Sequence, residues 1–215
     1  LAHFWPYVFG AGGATDPNIT QTYSDLMADS QMLVAQDTLR TVDFRPITRL
    51  LDVGGGTGAF LTAVGHTHPA MDLHLFDLPA VSPGAQSRFR AAGLDKRTTI
   101  HTGSFRDDPL PKGADAISLI RVLYDHGDDT VQALLSKIYD TLPPGGRIIV
   151  SEPMTGCRAG DVYFALYTLA MRTGRTRSQV EISKLLQLVG FENIQTPAPR
   201  RAFVTSVVCA QKPGT

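Results

Sequence analysis

The sequence predicts an α/β domain: a seven-stranded, mostly parallel sheet with helices on both faces, closed by an antiparallel strand pair at its C-terminal end. Three observations carry this. Short apolar runs alternate with stretches of helical periodicity from residue 49 onward, which implies parallel strands joined by right-handed crossovers. The first run, inside LLDVGGGTGAF at residues 50–60, ends in four glycines within five positions and passes directly into a helical pattern. The last two apolar runs have no helix between them, which parallel pairing would require.

Taken in order, the chain opens with the aromatic-rich LAHFWPYVFG, and Asp16-Pro17 then marks a helix start, because proline suits a first turn. Leu26, Leu33, Val34 and Leu39 recur at near-helical spacing across residues 20–41. Residues 1–45 therefore read as a helical lead-in, and residues 46–215 as the main domain. RLLDV (49–53) is the first strand, and Phe60, Leu61 and Val64 begin a helix that ends near Gly65. DLHLFD (72–77) is the second strand, followed by a helix over 81–92 and a third strand, TTIHT, over 98–102. ADAISLI (114–120) is the fourth strand. The helix after it, 130–142, is stopped by Pro143, Pro144 and the Gly145-Gly146 pair. RIIVSE (147–152) is the fifth strand. Helices over 162–171 and 179–189 precede the closing pair, FENIQTP and AFVTSVVCAQK.

Composition narrows the function. The chain has 215 residues, 43% of them apolar, enough for one domain with a full core. Lys and Arg together number 20, as do Asp and Glu, so the basic excess that nucleic-acid binding needs is missing. Cys157 and Cys209 fit neither a zinc spacing nor a disulfide framework, which points to a reducing, cytoplasmic setting. No apolar run approaches the roughly 20 residues of a membrane span. His66, His68, His74 and His101 lack a ligand spacing, so no metal is expected.

A strand, a glycine turn and a helix together make a nucleotide site, because glycines let the backbone approach a ligand and the helix offers free N–H groups. Two readings compete. Gly54, Gly56 and Ala59 satisfy the G-x-G-x-x-A dinucleotide fingerprint, while Gly54, Gly56 and Gly58 satisfy the tighter G-x-G-x-G form used for S-adenosylmethionine. Asp52, just before the loop, is poorly placed beside a pyrophosphate and well placed to meet an ammonium, directly or through water. Asp77, followed by Leu78 at the end of the second strand, is positioned to accept ribose hydroxyls in either reading.

The motifs LLDVGGGTGAF, FDLPAV, ADAISLIRVLYDHGDD, LPPGGRIIVSEP and TRSQVEISKLLQLVGF come in an order and spacing that resemble the class I S-adenosylmethionine-dependent O-methyltransferases of the caffeic-acid type and their bacterial relatives. YSDLMADSQMLVAQDTLR and AMRTGRTRS further resemble the bacterial carotenoid hydroxyl methyltransferases of the demethylspheroidene or hydroxyneurosporene type. The resemblance implies a Rossmann-like methyltransferase fold, S-adenosylmethionine as cofactor, and a small hydroxylated, apolar acceptor. It also implies a homodimer held by an N-terminal domain, of which residues 1–45 would be the linker remnant. It assigns Gly54, Gly56, Gly58 and Asp77 to the cofactor, Ser104 and Phe105 to the adenine, Arg121 to the basic position after the fourth strand, and Ser30 to the methionine end. Ser104 stands where the family usually has Asp.

One departure touches the chemistry. The family pattern after the fourth strand is His-Asp-Trp, with the His as general base, and here the run is Tyr124-Asp125-His126. A phenol, with a reference pKa of about 10, is a poor base near neutrality, whereas imidazole suits the task. Three solutions stand open: His126 as base, Tyr124 only orienting the hydroxyl, or a base elsewhere such as Glu152, which matches the acid that flanks the family's base. The family's second acid falls on Thr176. Asp125, Asp128 and Asp129 also read as caps and dipole partners of the following helix. The basic run from Arg172 to Arg177 reads as a solvated loop, or as a peripheral contact with an acidic membrane surface. Two rival functions remain at this level: an NAD-dependent oxidoreductase, and a catalytically silent cofactor-binding or dimerisation module, the latter motivated by the missing His.

Overall fold

The computed structural model describes residues 30–199, 201 and 204–214. The aromatic opening, the Asp16-Pro17 helix start and the lead-in before residue 30 lie outside the described residues. Residues 30–41 are helical (α1), as the apolar spacing predicts. The alternation then follows as β1 (Arg49–Val53), α2 (Ala59–Thr67), β2 (Asp72–Asp77), α3 (Ser82–Ala91), β3 (Thr98–Thr102), β4 (Ala116–Ile120), α4 (Asp128–Thr141) and β5 (Arg147–Glu152). A wide π-helical segment, Ala159–Phe164, leads into α5 (Ala165–Met171), and α6 (Gln179–Val189), β6 (Glu192–Gln195) and β7 (Ser206–Gln211) complete the described fold. The helix expected over 162–171 is thus two helical forms in series. α6 is bounded by a capping box, in which Ser178 and Glu181 satisfy each other's backbone N–H, and by Gly190 in the left-handed region.

The sheet order is β3-β2-β1-β4-β5-β7-β6. β1 to β5 pair in parallel, and β7 runs antiparallel to both β5 and β6. β7 inserts between β5 and β6, a placement the order of apolar runs does not disclose. The fourth strand begins two residues later than its apolar run suggests. Asp115 is withdrawn from it to pin the entry of β1, accepting the N–H of Thr48 at 2.9 Å and of Arg49 at 3.1 Å.

Two apolar layers cover the sheet. Val131, Leu134, Leu135 and Ile138 of α4 join Ile182 and Leu186 of α6 on one face. On the other, Val34 and Ala35 of α1 share a core with Phe60, Leu61 and Val64 of α2 and with Ala85 and Phe89 of α3. The lead-in helix is therefore part of the main core, and its Thr38 hydroxyl bonds the Ser151 hydroxyl of β5 at 2.8 Å. No helix among the described residues is long and apolar enough to cross a membrane.

Successive crossovers reverse direction between β1 and β4, which share the centre of the sheet. A crevice at the C-terminal ends of these strands is the ligand position of such sheets. The glycine turn is locked to the helix layer there. Gly58 sits at φ +76°, and a Cβ on it would lie 2.4 Å from Cζ of Phe89. Gly58→Ala is expected to cost about 1–3 kcal/mol through overpacking and strain, read as a lower midpoint in denaturant unfolding. An unchanged midpoint would show that α3 gives way without cost.

Candidate active site

The glycine turn leaves β1 at Gly54, whose N–H donates to the Phe76 carbonyl at 2.8 Å, and tightens through Gly58 N–H to the Gly55 carbonyl at 3.0 Å. Gly56 faces open space: a Cβ there would meet nothing within 4 Å. Its N–H donates to Asp77 Oδ2 at 2.7 Å, and the N–H of Leu78 donates to Oδ1 at 2.7 Å. The Asp77 carboxylate is thereby fixed at the end of β2, and each oxygen keeps acceptor capacity for a further donor. Burial raises its pKa, while the two N–H donors oppose that rise.

Asp52 is 0% exposed and lies beneath the turn, with Oδ1 accepting from the Ser118 hydroxyl at 2.6 Å while Oδ2 has no hydrogen-bond partner. A Cβ on Gly55 would fall 2.4 Å from Asp52 Oδ2 and 2.5 Å from Leu75 Cδ1. Gly55, skipped by both glycine spacings, is therefore demanded by the buried acid below it. Asp52 supports the cradle from beneath. Its carboxyl is pushed up to about 7, first by burial and less by the Asp77 charge, against the Ser118 bond.

A second loop meets the cradle from β4. A Cβ on Gly54 would lie 2.9 Å from Val122. The chain leaves β4 through Arg121 at φ +60°, a left-handed turn unusual for a side-chain-bearing residue, and enters a 3-10 turn at Leu123–Asp125. Glu152 at the end of β5 holds this turn. Oε1 accepts the N–H of Val122 and of Leu123, each at 2.8 Å, and Oε2 faces the N–H of Tyr124 at 3.4 Å. Burial pushes the Glu152 carboxyl up to about 7 against these bonds, and the Asp125 charge adds to the rise. Glu152 thus grips main chain chiefly through Oε1, while Oε2 keeps acceptor capacity. Arg121 Nη1 donates to the Ser30 hydroxyl of α1 at 2.6 Å, so the structure brings together two residues that the sequence assigned to the cofactor. The Arg121 guanidinium lies 5.6 Å over the Phe164 ring.

The outer side of the turn is strapped by the basic run. Arg177 is 2% exposed; it donates to the Leu123 carbonyl at 2.9 Å, the His126 carbonyl at 2.9 Å and Asp128 at 2.7 Å. Arg175 pairs with Glu181 at 2.7 Å and with Asp128 at 3.3 Å. Arg172 and Arg175 of the run are exposed, whereas Arg177 is buried, and Arg175 and Arg177 are both engaged by protein partners. The descent of the run onto the turn needs Gly174, where a Cβ would lie 2.1 Å from the Tyr124 carbonyl. Thr176, at the family's second acid position, pairs with the Thr155 hydroxyl at 3.2 Å.

His126 turns toward Phe105 and Arg106. Its Nδ1 lies 3.0 Å from Arg106 Nη2. A guanidinium only donates, so Nδ1 accepts and the ring proton sits on Nε2. With that lone pair engaged by Arg106, the geometry weighs against His126 among the three open solutions for the base. Burial, with Arg106 and then Arg177, lowers its pKa to about 4. The ring stands edge-on to Phe105 at 5.2 Å. Beside Phe105, Ser104 is buried, its N–H bonded to Asp108 and its hydroxyl accepting from the Arg106 N–H. Ser104, Phe105 and His126 thus make one wall. Arg106 and Arg177, which orient that wall and the turn, carry no sequence signal beyond their charge.

Tyr124 is buried against Phe164 at 4.9 Å and Tyr167 at 5.9 Å, ring centre to ring centre. Asp125 is buried, and burial pushes its carboxyl up to about 7 against the Tyr167, Arg121 and Tyr124 side chains nearby. Asp125 does not cap α4, whose N-cap is Gly127, whereas Asp128 and Asp129 occupy the first turn as expected. Among the described residues no group of three or more His, Cys, Asp or Glu is arranged to hold a metal.

Comparison with known proteins shows the family. Residues 2–192 match the O-methyltransferase domain. The chain belongs to the O-methyltransferase domain family. It is 58% identical to a demethylspheroidene O-methyltransferase of Cereibacter sphaeroides, across 99% of this chain and 57% of that protein. It is 52% identical to one of Rhodobacter capsulatus, across 99% of this chain and 53% of that protein. The chain therefore spans a little over half the length of these curated relatives. The crystal structure of human N-acetylserotonin methyltransferase in complex with SAM superposes with a TM-score of 0.80 at 28% identity, covering 93% of this chain and 57% of that one.

Two predictions test the strap and the wall. Arg177→Met removes the guanidinium donor from the Leu123 carbonyl, which keeps the His126 N–H, and from the His126 carbonyl, at about 1–3 kcal/mol for the group left unsatisfied, and the denaturant midpoint should fall accordingly. A midpoint within error of the parent would discard the strap. His126 has a folded pKa below its ordinary 6.5, so its contribution is present above 6.5 and fades as pH drops toward about 4. The stability gap between the parent and His126→Gln should shrink over that window, measured by urea unfolding at several pH values.

Proposed function

We propose that the full protein transfers a methyl group from S-adenosylmethionine to a hydroxyl of an apolar, carotenoid-like acceptor. The observation that carries the reading is the cradle: an open face at Gly56 beside an Asp77 carboxylate held in place by two N–H donors. The residues fit the cofactor. Gly54, Gly56 and Gly58 clear the backbone of side chains, Asp77 offers acceptors to a ribose diol, and Ser104, Phe105 and His126 offer an adenine wall. Arg121 and Ser30 stand at the methionine end. When bound, S-adenosylmethionine supplies an electrophilic methyl group, whose bonding pair stays with the sulfur as the methyl leaves.

The protein's own part is positioning and water exclusion. The aromatic group of Tyr124, Phe164 and Tyr167 offers an apolar wall next to the turn after β4. Met154, buried after β5, continues that apolar character. The names of the two Cereibacter and Rhodobacter relatives support a hydroxylated carotenoid as acceptor. Cytoplasmic location and homodimerisation extend the same reading on the family resemblance. A membrane contact through residues 172–177 gains no support from arginines already paired within the protein.

Calorimetry should show S-adenosylhomocysteine binding to the full-length protein and none by NAD. Asp77→Ala should weaken that binding by about 10- to 100-fold, the range for hydrogen bonds to a charged group. Preference for NAD would replace the reading with the oxidoreductase, and unchanged affinity in the variant would remove Asp77 from the ribose.

A further inference from the structure

The methyl-transfer site leaves one buried charge without a task. Asp37 lies on α1 among the residues that carry Val34 and Ala35 into the core, and it is 3% exposed. Neither of its carboxylate oxygens has a hydrogen-bond partner. Among the described residues its ion-pair partner is Arg201, from the segment between β6 and β7, whose Nε lies 3.6 Å from Oδ1. A carboxylate buried without hydrogen bonds is costly, and an apolar side chain there would avoid the cost. Proteins break the rule of satisfied buried polar groups chiefly where function asks for it.

The neighbours of Asp37 connect it to the site. Ser151 of β5 donates its one hydroxyl proton to the Thr205 hydroxyl at 3.2 Å, so it accepts from the Thr38 hydroxyl at 2.8 Å. The Ser151 main-chain carbonyl accepts the N–H of Arg121 at 2.9 Å. Arg121 returns to α1 through the Ser30 hydroxyl. Polar contacts therefore hold α1 at three residues: Ser30 on the turn after β4, Thr38 on β5 and Asp37 on Arg201. Residues 37 and 38 point about 100° apart around a helix, so their two contacts together fix its roll as well as its depth. Ser30 stands two turns from Asp37, about 10 Å along the axis, and the roll decides which way it faces.

We propose that Arg201 is a positioning residue for the cofactor: its pairing with the buried Asp37 sets the roll of α1, and so presents Ser30 to the methionine end of S-adenosylmethionine. This rests on the methyl-transfer reading above. Arg201 acts through α1, so its effect falls on cofactor binding and not on the chemical step.

The test uses full-length protein with Arg201→Met, Arg201→Lys and Asp37→Asn variants. S-adenosylhomocysteine affinity is read by calorimetry, stability by urea unfolding, and turnover with S-adenosylmethionine and demethylspheroidene. Arg201→Met should weaken S-adenosylhomocysteine binding and raise KM for S-adenosylmethionine by about 3- to 30-fold, the range for coupling carried through a packed element. Its kcat at saturating cofactor should stay within about twofold of the parent. Arg201→Lys keeps the charge and should recover most of the affinity. Asp37→Asn separates positioning from plain stabilisation by sign. It removes the costly buried charge, so the urea midpoint should hold or rise while affinity falls as in Arg201→Met. Parent affinity in both Arg201→Met and Asp37→Asn, or losses that follow the midpoint downward in both, overturns the inference alone. If Arg201→Met does not fold, parent affinity in Asp37→Asn overturns it. A parent protein that binds no S-adenosylhomocysteine overturns the functional reading, and the inference with it.

Discussion

The Glu152 carboxylate, clamped onto the backbone N–H groups of residues 122–124, is the contact on which the site depends. A buried carboxylate is costly unless hydrogen-bonded, and free N–H groups at a chain reversal are costly too. Each satisfies the other here. The result fixes a turn that Arg121 enters in a left-handed conformation, and so fixes where Tyr124, Asp125 and His126 stand. Arg177 grips the same turn from outside through the carbonyls of Leu123 and His126. Donors are thus held by β5 and acceptors by the loop before α6, and the turn has little freedom left.

The same device recurs under the glycine cradle. Asp52 sits beneath Gly55, bonded to Ser118 of β4, and Asp77 is tied to Gly56 and Leu78. The site is therefore ringed by buried acids, three of which (Asp52, Asp125 and Glu152) are pushed up to about 7. Groups of this kind bind protons more tightly folded than unfolded, so their stabilisation is greatest at low pH and falls away as pH rises toward 7. His126 acts in the opposite sense, because its folded pKa is depressed. The acids mark a region built for ligand and chemistry at the expense of stability, as active sites commonly are.

Much of this was legible in the chain. The sheet's parallel part follows from alternating periodicity, and the antiparallel close from the absence of a helix between the last two apolar runs. Gly54, Gly56, Gly58 and Asp77 follow from the chemistry of a nucleotide-type turn. What stayed hidden has one cause. Asp52, His126 and Arg177 are each engaged by a residue distant in sequence: Ser118 for Asp52, Arg106 for His126, and Leu123 and His126 for Arg177. Residue type sets what a side chain is able to do, and its partner decides what it does.

By itself, then, the sequence determined the order and kind of the elements, the bare cradle and the loss of imidazole from the position after β4, because periodicity, glycine geometry and residue chemistry are local properties. Only the tertiary structure decided that β7 enters between β5 and β6, that Gly55 is required by the acid beneath it, and that Asp125 is buried instead of capping α4. These are matters of which groups meet across the sheet, and a buried polar group takes whichever partner the packing brings within reach.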